Sequence, residues 1–476
     1  VSGASLLDRS SRRRWQSSAT RAARSRSGIT LSEAGSGASA PSSRTARGGS
    51  IRYVPAIAAG KLARWATRLR GGGSAFPGYL TNKLAPSLLP TLAGQFPYGV
   101  VFVLGSNGKT TTTHMISEVL RAHGLTVFTN PTGANLPQGV TSALLADATL
   151  TGRVRADVAV LEVDEGYAAD LADVLSPKVI VALNVQIDQL YRFFETERVA
   201  DMMLDAATRA SHQVIVNRDD PYLSKIDERG LRGKAVYFGA SAELVQASAH
   251  GLVNATDTRS DVAGIAGRAA DSEVVSTRGR EVTVVLDGAP IDLTLPARGL
   301  HYAVDAAAAV AAASGVLGSK FRAEAAAAGF AAMAPAYGRG EVIPLAPGRD
   351  DVVEFVMFKN APSLQLNLDA MEGAPERVLM AIDEGTPDIS WIYDVDFDAL
   401  DHVDVVSGEK AHQVALRLAY AGVRVGVVEP DVAKAVELMR ALPGTAGRRQ
   451  FWLVNYEIMM QGRKLLGHGD QEVARR

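Results

Sequence analysis

An apolar run, Val100-Val101-Phe102-Val103-Leu104, ends in a glycine turn and then a lysine with three threonines: Gly105-Ser106-Asn107-Gly108-Lys109-Thr110-Thr111-Thr112. Glycines let successive backbone N–H groups turn inward on an oxyanion, and a helix N-terminus adds partial positive charge. Met115, Ile116, Val119 and Leu120 have the spacing of a helix that starts at this turn. In that frame the residues from Gly105 to Thr111 line a row of phosphates. Lys109 reaches the outermost ones, and the Thr110 hydroxyl is placed to ligate Mg²⁺. This is triphosphate chemistry. The spacing departs from the general phosphate-loop pattern, because Val103 stands where that pattern has its first glycine.

A second candidate lies at the end of another apolar run, Val158–Val163, which closes in Leu161-Glu162-Val163-Asp164-Glu165. A carboxylate at the C-terminal end of a parallel strand faces the crevice where such sheets bind ligands. Of the two acids that follow, one is expected only to cap the next helix.

These groups need a scaffold. Short β-rich runs at 100–104, 127–129, 158–163, 179–183 and 214–216 alternate with helical patterns at 109–123, 166–174 and 196–210. Continuous apolar strands separated by helices predict a parallel sheet covered on both faces. Residues 240–298 are more polar and predict a small antiparallel hairpin from 282–286 and 291–295. An alanine-rich helix pair follows at 302–314 and 322–333. After Gly338 a second series begins, with strands near 351–358, 377–383, 403–407, 424–428 and 451–455. The fold class is therefore α/β: a phosphate-loop parallel-sheet domain over 99–340, then a smaller Rossmann-like α/β domain over 341–476. Ahead of them, 51–98 form a helical arm, with Tyr53, Ile57, Leu62, Trp65 and Leu69 as the apolar positions of its first helix. Residues 1–50 hold nine arginines against Asp8 and Glu33 and have no aliphatic periodicity. They are expected to be a disordered basic extension, a transit-type segment, or a mis-called start.

Composition closes off other chemistry. Lys plus Arg total 50 against 51 Asp plus Glu, with no basic block in the body of the chain, which argues against nucleic acid as the main ligand. Cysteine is absent, so disulfides, thiol nucleophiles and thiolate zinc sites are excluded. No apolar run suggests a membrane span. The expectation is a cytoplasmic protein.

The run Gly-Ser-Asn-Gly-Lys-Thr-Thr-Thr resembles the ATP loop of the Mur ligase superfamily, and the resemblance extends over roughly 52–465. In that family ATP phosphorylates a carboxylate and an amine displaces the phosphate. Glu162 then matches the Mg²⁺-binding glutamate. Asp188, in Leu183-Asn184-Val185-Gln186-Ile187-Asp188-Gln189, matches a second metal-side acid, although Gln189 replaces the histidine of most relatives. Gln is as in the MurT branch. The run Thr129–Gly139, with Asn130 and Asn135, looks like that branch's substrate-facing loop, or is an ordinary Asn/Gly/Pro turn cluster. Asn217-Arg218-Asp219-Asp220-Pro221 is similar to a structural turn of the family.

Further along, Tyr337-Gly338-Arg339-Gly340-Glu341 resembles the family's domain-junction motif, whose arginine swings onto the phosphates. Phe358-Lys359-Asn360-Ala361-Pro362-Ser363 and the run Asp388-Ile389-Ser390-Trp391 to Phe397 look like the MurT C-terminal domain. The resemblance makes Lys359 and Asn360 substrate-side residues. It makes Asp388 the carboxylate that assists the Cys–His pair of a GatD-like glutaminase partner, which supplies ammonia. A bland reading of the second run is an acidic helix start with an aromatic core face. The substrate implied is a lipid-linked peptidoglycan precursor, whose D-Glu carboxylate becomes an amide, with ATP and Mg²⁺ as cofactors. The chain departs from that branch in lacking a four-cysteine zinc ribbon, so no zinc is expected. It departs again at Tyr302, which replaces an adenine-contacting Asn and is expected to stack on the base. Tyr191 replaces an Asp, and Ala361-Pro362 replaces Pro-Ala. An amino-acid-adding ligase such as a folylpolyglutamate or poly-γ-glutamate synthase, or a nucleotide-binding scaffold, are the alternatives.

Overall fold

The computed structural model describes residues 50–69, 75–130, 134–186, 195–252, 268–334, 338–444 and 449–468, apart from Pro347, Arg349, Glu372, Ala374 and Pro387. Asp188, Gln189, Tyr191 and Tyr337 lie outside the described residues.

Three helices open the described chain: α1 (Val54–Leu69), α2 (Ala75–Leu84) and α3 (Leu88–Ala93). The first domain then runs β1 (Val100–Leu104), α4 (Lys109–Ala122), β2 (Val127–Thr129), α5 (Pro137–Asp147), β3 (Val158–Glu162), α6 (Ala168–Leu175), β4 (Val179–Ala182), α7 (Thr196–Ala207), β5 (Gln213–Asn217), β6 (Lys234–Ala240), α8 (Ala242–Ala247), β7 (Ser272–Arg278), β8 (Glu281–Leu286), β9 (Ala289–Thr294), α9 (Leu300–Leu317) and α10 (Ala323–Ala331). Its nine strands form one sheet in the order β2-β3-β1-β4-β5-β6-β7-β8-β9, parallel as far as β7 and antiparallel beyond it.

The all-apolar β1 explains why the sheet is covered twice. Val100, Phe102 and Leu104 enter a core shared with the arm, α5, α6 and α7, while Val101 and Val103 enter one built on α4, α9 and α10. Alternate residues of a strand point to opposite faces, so a strand apolar at every position has to be buried on both. β8 alternates instead, burying only Val282, Val284 and Leu286, as befits an antiparallel strand with one wet face.

Several expectations are corrected here. The hairpin of residues 282–295 is a three-stranded meander, because Ser272–Arg278 pairs with both β6 and β8. That strand carries Ser, Glu and Thr and buries Val274 among its apolar residues, so it gave no apolar signal. β6 is a further strand missing from the sequence reading. Tyr53, just ahead of α1, and Ile57 within it are buried, but Leu62 and Trp65 are 64% and 63% exposed. They sit about half a turn away from the buried stripe, so the helix has apolar residues on two faces. Finally, the first alanine-rich helix is eighteen residues long, not thirteen. It is long and apolar enough to cross a membrane by length and composition, yet its most apolar window is 83% buried inside this domain.

The second domain contains β10 (Arg339–Pro344), β11 (Val352–Met357), α11 (Ala361–Asp369), β12 (Val378–Ala381), β13 (His402–Ser407), α12 (Ala411–Tyr420), β14 (Arg424–Glu429), α13 (Val432–Ala441), β15 (Arg449–Val454) and α14 (Tyr456–Leu465). Its six-stranded sheet has the order β10-β11-β15-β12-β13-β14, with β10 the one antiparallel edge. β10 was not foreseen, and it puts Arg339 on the second sheet rather than at the end of the first domain.

The two domains touch at two places that matter for the site. Lys359 and Asn360, at the start of α11, reach the phosphate loop. Away from the loop, His250 of the first domain stands between two acids of the second, Nδ1 at 2.9 Å from Asp369 Oδ1 and Nε2 at 3.4 Å from Asp396 Oδ2.

Candidate functional site

The loop between β1 and α4 takes the shape its glycines permit. Gly108 caps α4 with φ of 82°, in the left-handed region that side chains avoid. A Cβ there would also lie 2.7 Å from Asp305 Oδ1, so the position is closed to other residues on both counts. The loop is braced from the end of β4. Ser106 N–H donates to the Asn184 carbonyl, Asn107 N–H donates to Asn184 Oδ1 at 2.9 Å, and Asn107 Nδ2 donates to Gln186 Oε1 at 2.6 Å. Val185 between them donates to the buried Asp220 at 2.7 Å, whose carboxyl burial pushes up to about 6. The Asn217–Pro221 turn is therefore a support for the loop.

Lys109 points along the crevice and makes a 2.6 Å ion pair with Glu165, while also donating to the Gly105 carbonyl. The Thr110 hydroxyl donates to Glu162 Oε2 at 2.7 Å. Two carboxylates from the end of β3 thus face the lysine and threonine of the loop. Asp164 is the acid that caps, accepting from Gly166 N–H at 3.1 Å. Glu165 was missed as a site residue, since three acids in four positions look alike until the fold shows which one meets Lys109.

Glu162 is held by Asn130. The Asn130 side chain accepts from Glu162 N–H at 3.0 Å and donates to the Glu162 carbonyl at 2.9 Å and the Ala134 carbonyl at 3.0 Å. This pairing spends its amide on the backbone. Asn130, expected on the substrate side, is buried and acts as a clamp on the acid instead. Asn135 contributes its backbone carbonyl, which accepts from Asp164 N–H at 3.1 Å. Asn130→Ala should destabilise the chain by about 2 kcal/mol, because buried backbone groups lose their partner. Urea unfolding would read this as a lower midpoint at unchanged slope.

From the second domain, Lys359 Nζ donates to the Ser106 carbonyl, and the Asn360 and Asn107 amides face each other at 3.3 and 3.4 Å. Asn360 also caps α11 through a reciprocal bond pair with Ser363, which fixes its direction. Both residues were expected on the substrate side; they stand on the phosphate loop itself. Arg339 lies at the same junction, where its charge acts on both Asp305 and Tyr302. Glu341, two residues on, is taken by the buried Arg463. A cleft of about 390 Å³ opens between the domains here, lined by Arg298, Tyr302, Glu354, Asn367 and Arg449 among others. Tyr302 is largely buried in its wall, its ring tilted by 42° to that of His301 with centres 4.3 Å apart. Burial holds His301 down to about 4, so this ring stays neutral near pH 7.

Asp305 is a buried acid directly under the loop. Burial raises its pKa well above the usual carboxylate range, with Arg339 acting in the opposite sense. Below that raised value the carboxyl is neutral and compatible with phosphates above it; as pH rises through it, a negative charge appears beside them. Nucleotide affinity should therefore fall with rising pH, and Asp305→Asn should flatten the curve. Calorimetric titration of a nucleotide against parent and variant over a series of pH values measures both.

Asp388 does not join this cluster. It is exposed on the second domain, and a hydrogen bond from Ser390 N–H at 2.8 Å lowers its pKa, so it stays ionised. The loop before it is fixed by Asn455, which donates to Asp383 Oδ1 at 2.7 Å.

A phosphate loop opposed by paired acids, with a second α/β domain resting on it, defines a two-domain nucleotide-binding protein. The Mur ligase middle domain model matches residues 103–313, and the MurT ligase C-terminal model matches 357–459. The chain belongs to the Mur ligase family, on the branch with a MurT-type C-terminal domain. It is similar to the MurT subunit of lipid II isoglutaminyl synthase (glutamine-hydrolyzing) from Streptococcus pneumoniae, 26% identical over 452 residues, covering 87% of this chain and 97% of that one. The same-named subunit from Staphylococcus aureus is 32% identical over 193 residues, 40% of this chain; the match spans 43% of that relative's length. Among solved structures, MurF from Acinetobacter baumannii has a TM-score of 0.60 at 18% identity, covering 81% of this chain and 80% of its own. Folylpolyglutamate synthase from Mycobacterium tuberculosis, complexed with ADP, has 0.58 at 18%, covering 81% and 94%. The fold is that of these ligases.

Proposed function

We propose that this chain is the ATP-using synthetase subunit of a glutamine-dependent amidotransferase, converting the D-Glu α-carboxylate of a lipid-linked stem peptide to the amide. The observation that carries this reading is the contact of Lys359 and Asn360, at the edge of the MurT-type domain, with the phosphate loop. It joins the segment typical of the branch to the ATP-binding machinery.

The residues support a sequence of roles. Loop N–H groups from Gly105 to Thr111 bind the phosphates, and Lys109 leaves Glu165 for the outermost one. The Thr110 hydroxyl and the Glu162 carboxylate, 2.7 Å apart, are hard oxygen donors that fit Mg²⁺, with Asp188 the further ligand expected from sequence. When bound, that ion neutralises phosphate charge. A carboxylate oxygen of the acceptor attacks the γ-phosphorus and ADP leaves, giving an acyl phosphate; ammonia then displaces phosphate and loses a proton. Arg339 and Lys359 offset the charge that develops at the transferred phosphoryl group. Ammonia comes from a cysteine-bearing, GatD-like glutaminase, since this chain has no cysteine, and the ionised Asp388 orients that partner's histidine. The work takes place in the cytoplasm, at the inner membrane face where the lipid-linked precursor is exposed.

The test is to combine this chain, the glutaminase, ATP, glutamine and lipid II, and to follow the lipid product by mass spectrometry. A loss of about one mass unit, dependent on all components, is the expected result of exchanging an acid for an amide. Ligation of a free amino acid without any glutaminase would replace this reading with that of an amino-acid-adding ligase.

A further inference from the structure

The helical arm ahead of the first strand has a face that the fold leaves uncovered. Six of the fifteen exposed large apolar side chains among the described residues lie between Ile51 and Leu84: Ile51, Leu62, Trp65, Phe76, Tyr79 and Leu84. They are not scattered. Leu62 and Trp65 share one face of α1, opposite the buried Ala56, Ile57 and Gly60; Phe76 and Tyr79 share one face of α2, opposite the buried Pro77, Gly78, Thr81 and Asn82. The two helices pack on each other, with α2 seated on α5 through Gly78 N–H to Ser142 and Thr141 to Asn82. So the inward faces are fixed by close contacts, and the outward faces carry the aromatic residues.

Charge on the arm has one sign. Between residues 50 and 99 stand Arg52, Lys61, Arg64, Arg68, Arg70 and Lys83, and no acidic residue occurs anywhere from 34 to 117. The loop packed against the arm adds the exposed Arg153, Arg155 and Leu150, and Asp147 beside Lys61 is the neighbouring acid. We infer that the aromatic face of this basic arm is a peripheral membrane-docking surface for an anionic lipid bilayer. Trp, Tyr, Phe and Leu insert at the headgroup level while basic side chains meet anionic headgroups, the pattern of helices that lie in an interface. Charge selects this occupant. A second copy would bring the same positive face, and residues 1–49, with nine arginines against two acids, would be repelled in the same way. The inference stands on the arm alone and does not rest on the ligase reading. It also orients the site, because α5 begins at Pro137, two residues after Asn135, whose carbonyl accepts from Asp164 beside the phosphate loop's acids.

The experiment is sedimentation of the full chain with vesicles of phosphatidylglycerol or of phosphatidylcholine, alongside the variant Leu62→Ser/Trp65→Ser/Phe76→Ser/Tyr79→Ser. All four positions are exposed, so far-UV circular dichroism and nucleotide binding should match the parent. The expected result is binding to phosphatidylglycerol, weakened by salt and by neutral lipid, and at least about tenfold weaker in the variant. No binding of the parent chain would overturn the inference. Undiminished binding by the variant would also overturn it and assign attachment to residues 1–49. Parent dimers that the variant dissolves, without vesicle binding, would make the face a protein interface.

Discussion

Replacing Lys109 with alanine should lower ATP turnover by about a thousandfold, because it removes the positive charge that the proposed mechanism brings to the transferred phosphoryl group. The structure supplies a complication that the experiment has to meet. Lys109 is paired with Glu165 at 2.6 Å, and Glu165 is buried, so alanine alone leaves an uncompensated buried carboxylate. That costs about 3–5 kcal/mol in comparable sites and could mimic a catalytic defect by unfolding the crevice. Lys109→Ala/Glu165→Gln removes the charge pair together. The account expects the double variant to recover thermal stability but not turnover. Recovery of both would mean that Lys109 serves the fold and not the chemistry.

Glu162→Gln should be the second large effect. Glutamine keeps the length and the acceptor that Thr110 bonds at 2.7 Å, and the Asn130 clamp acts on the backbone of residue 162, not its side chain. The fold should therefore be undisturbed. What is lost is the negative charge that the proposed Mg²⁺ site requires of this position. At low Mg²⁺, turnover should fall about a hundredfold or more, and raising the metal concentration should recover part of it. A magnesium titration of ATP turnover in parent and variant reads the shift directly. Superimposable titration curves would remove Glu162 from the metal site.

How much of this was visible in the chain itself depends on distance along it. The phosphate loop was legible because its physical requirements are local: an apolar strand, then two glycines, a lysine and a hydroxyl within the six residues 105–110. The doubly covered parallel sheet was legible because strands such as Val100–Leu104 are apolar at every position. Long-range pairings were not. Asn130 looks like one member of a turn cluster until Glu162, thirty-two residues on, is seen to use both ends of its amide. Lys359 could be assigned to the substrate side by resemblance, but its seat on Ser106 spans 253 residues. Glu165 had no signal separating it from Asp164 and Glu162. Strand β7 failed for a different reason: it is a polar strand held by backbone pairing on both sides, and apolar periodicity cannot report that.

Electrostatics shows the same divide. Composition gives Asp305 no distinction from any other aspartate, yet helix α9 carries it to a dry position under Gly108, where burial raises its pKa. Asp388 is the converse, an exposed acid kept ionised by one backbone N–H. The first faces the phosphate loop, and the second is open to solvent.

The claim on which the account turns is that a carboxylate is activated by direct phosphorylation. It is tested by supplying the lipid-linked acceptor with ¹⁸O in its D-Glu α-carboxylate, together with ATP, glutamine and the glutaminase, and weighing the inorganic phosphate released. Phosphate carrying one ¹⁸O atom, in step with amide formation, is the predicted result, since the bridging oxygen of an acyl phosphate leaves with the phosphate. Amide formed alongside phosphate with no ¹⁸O would contradict it.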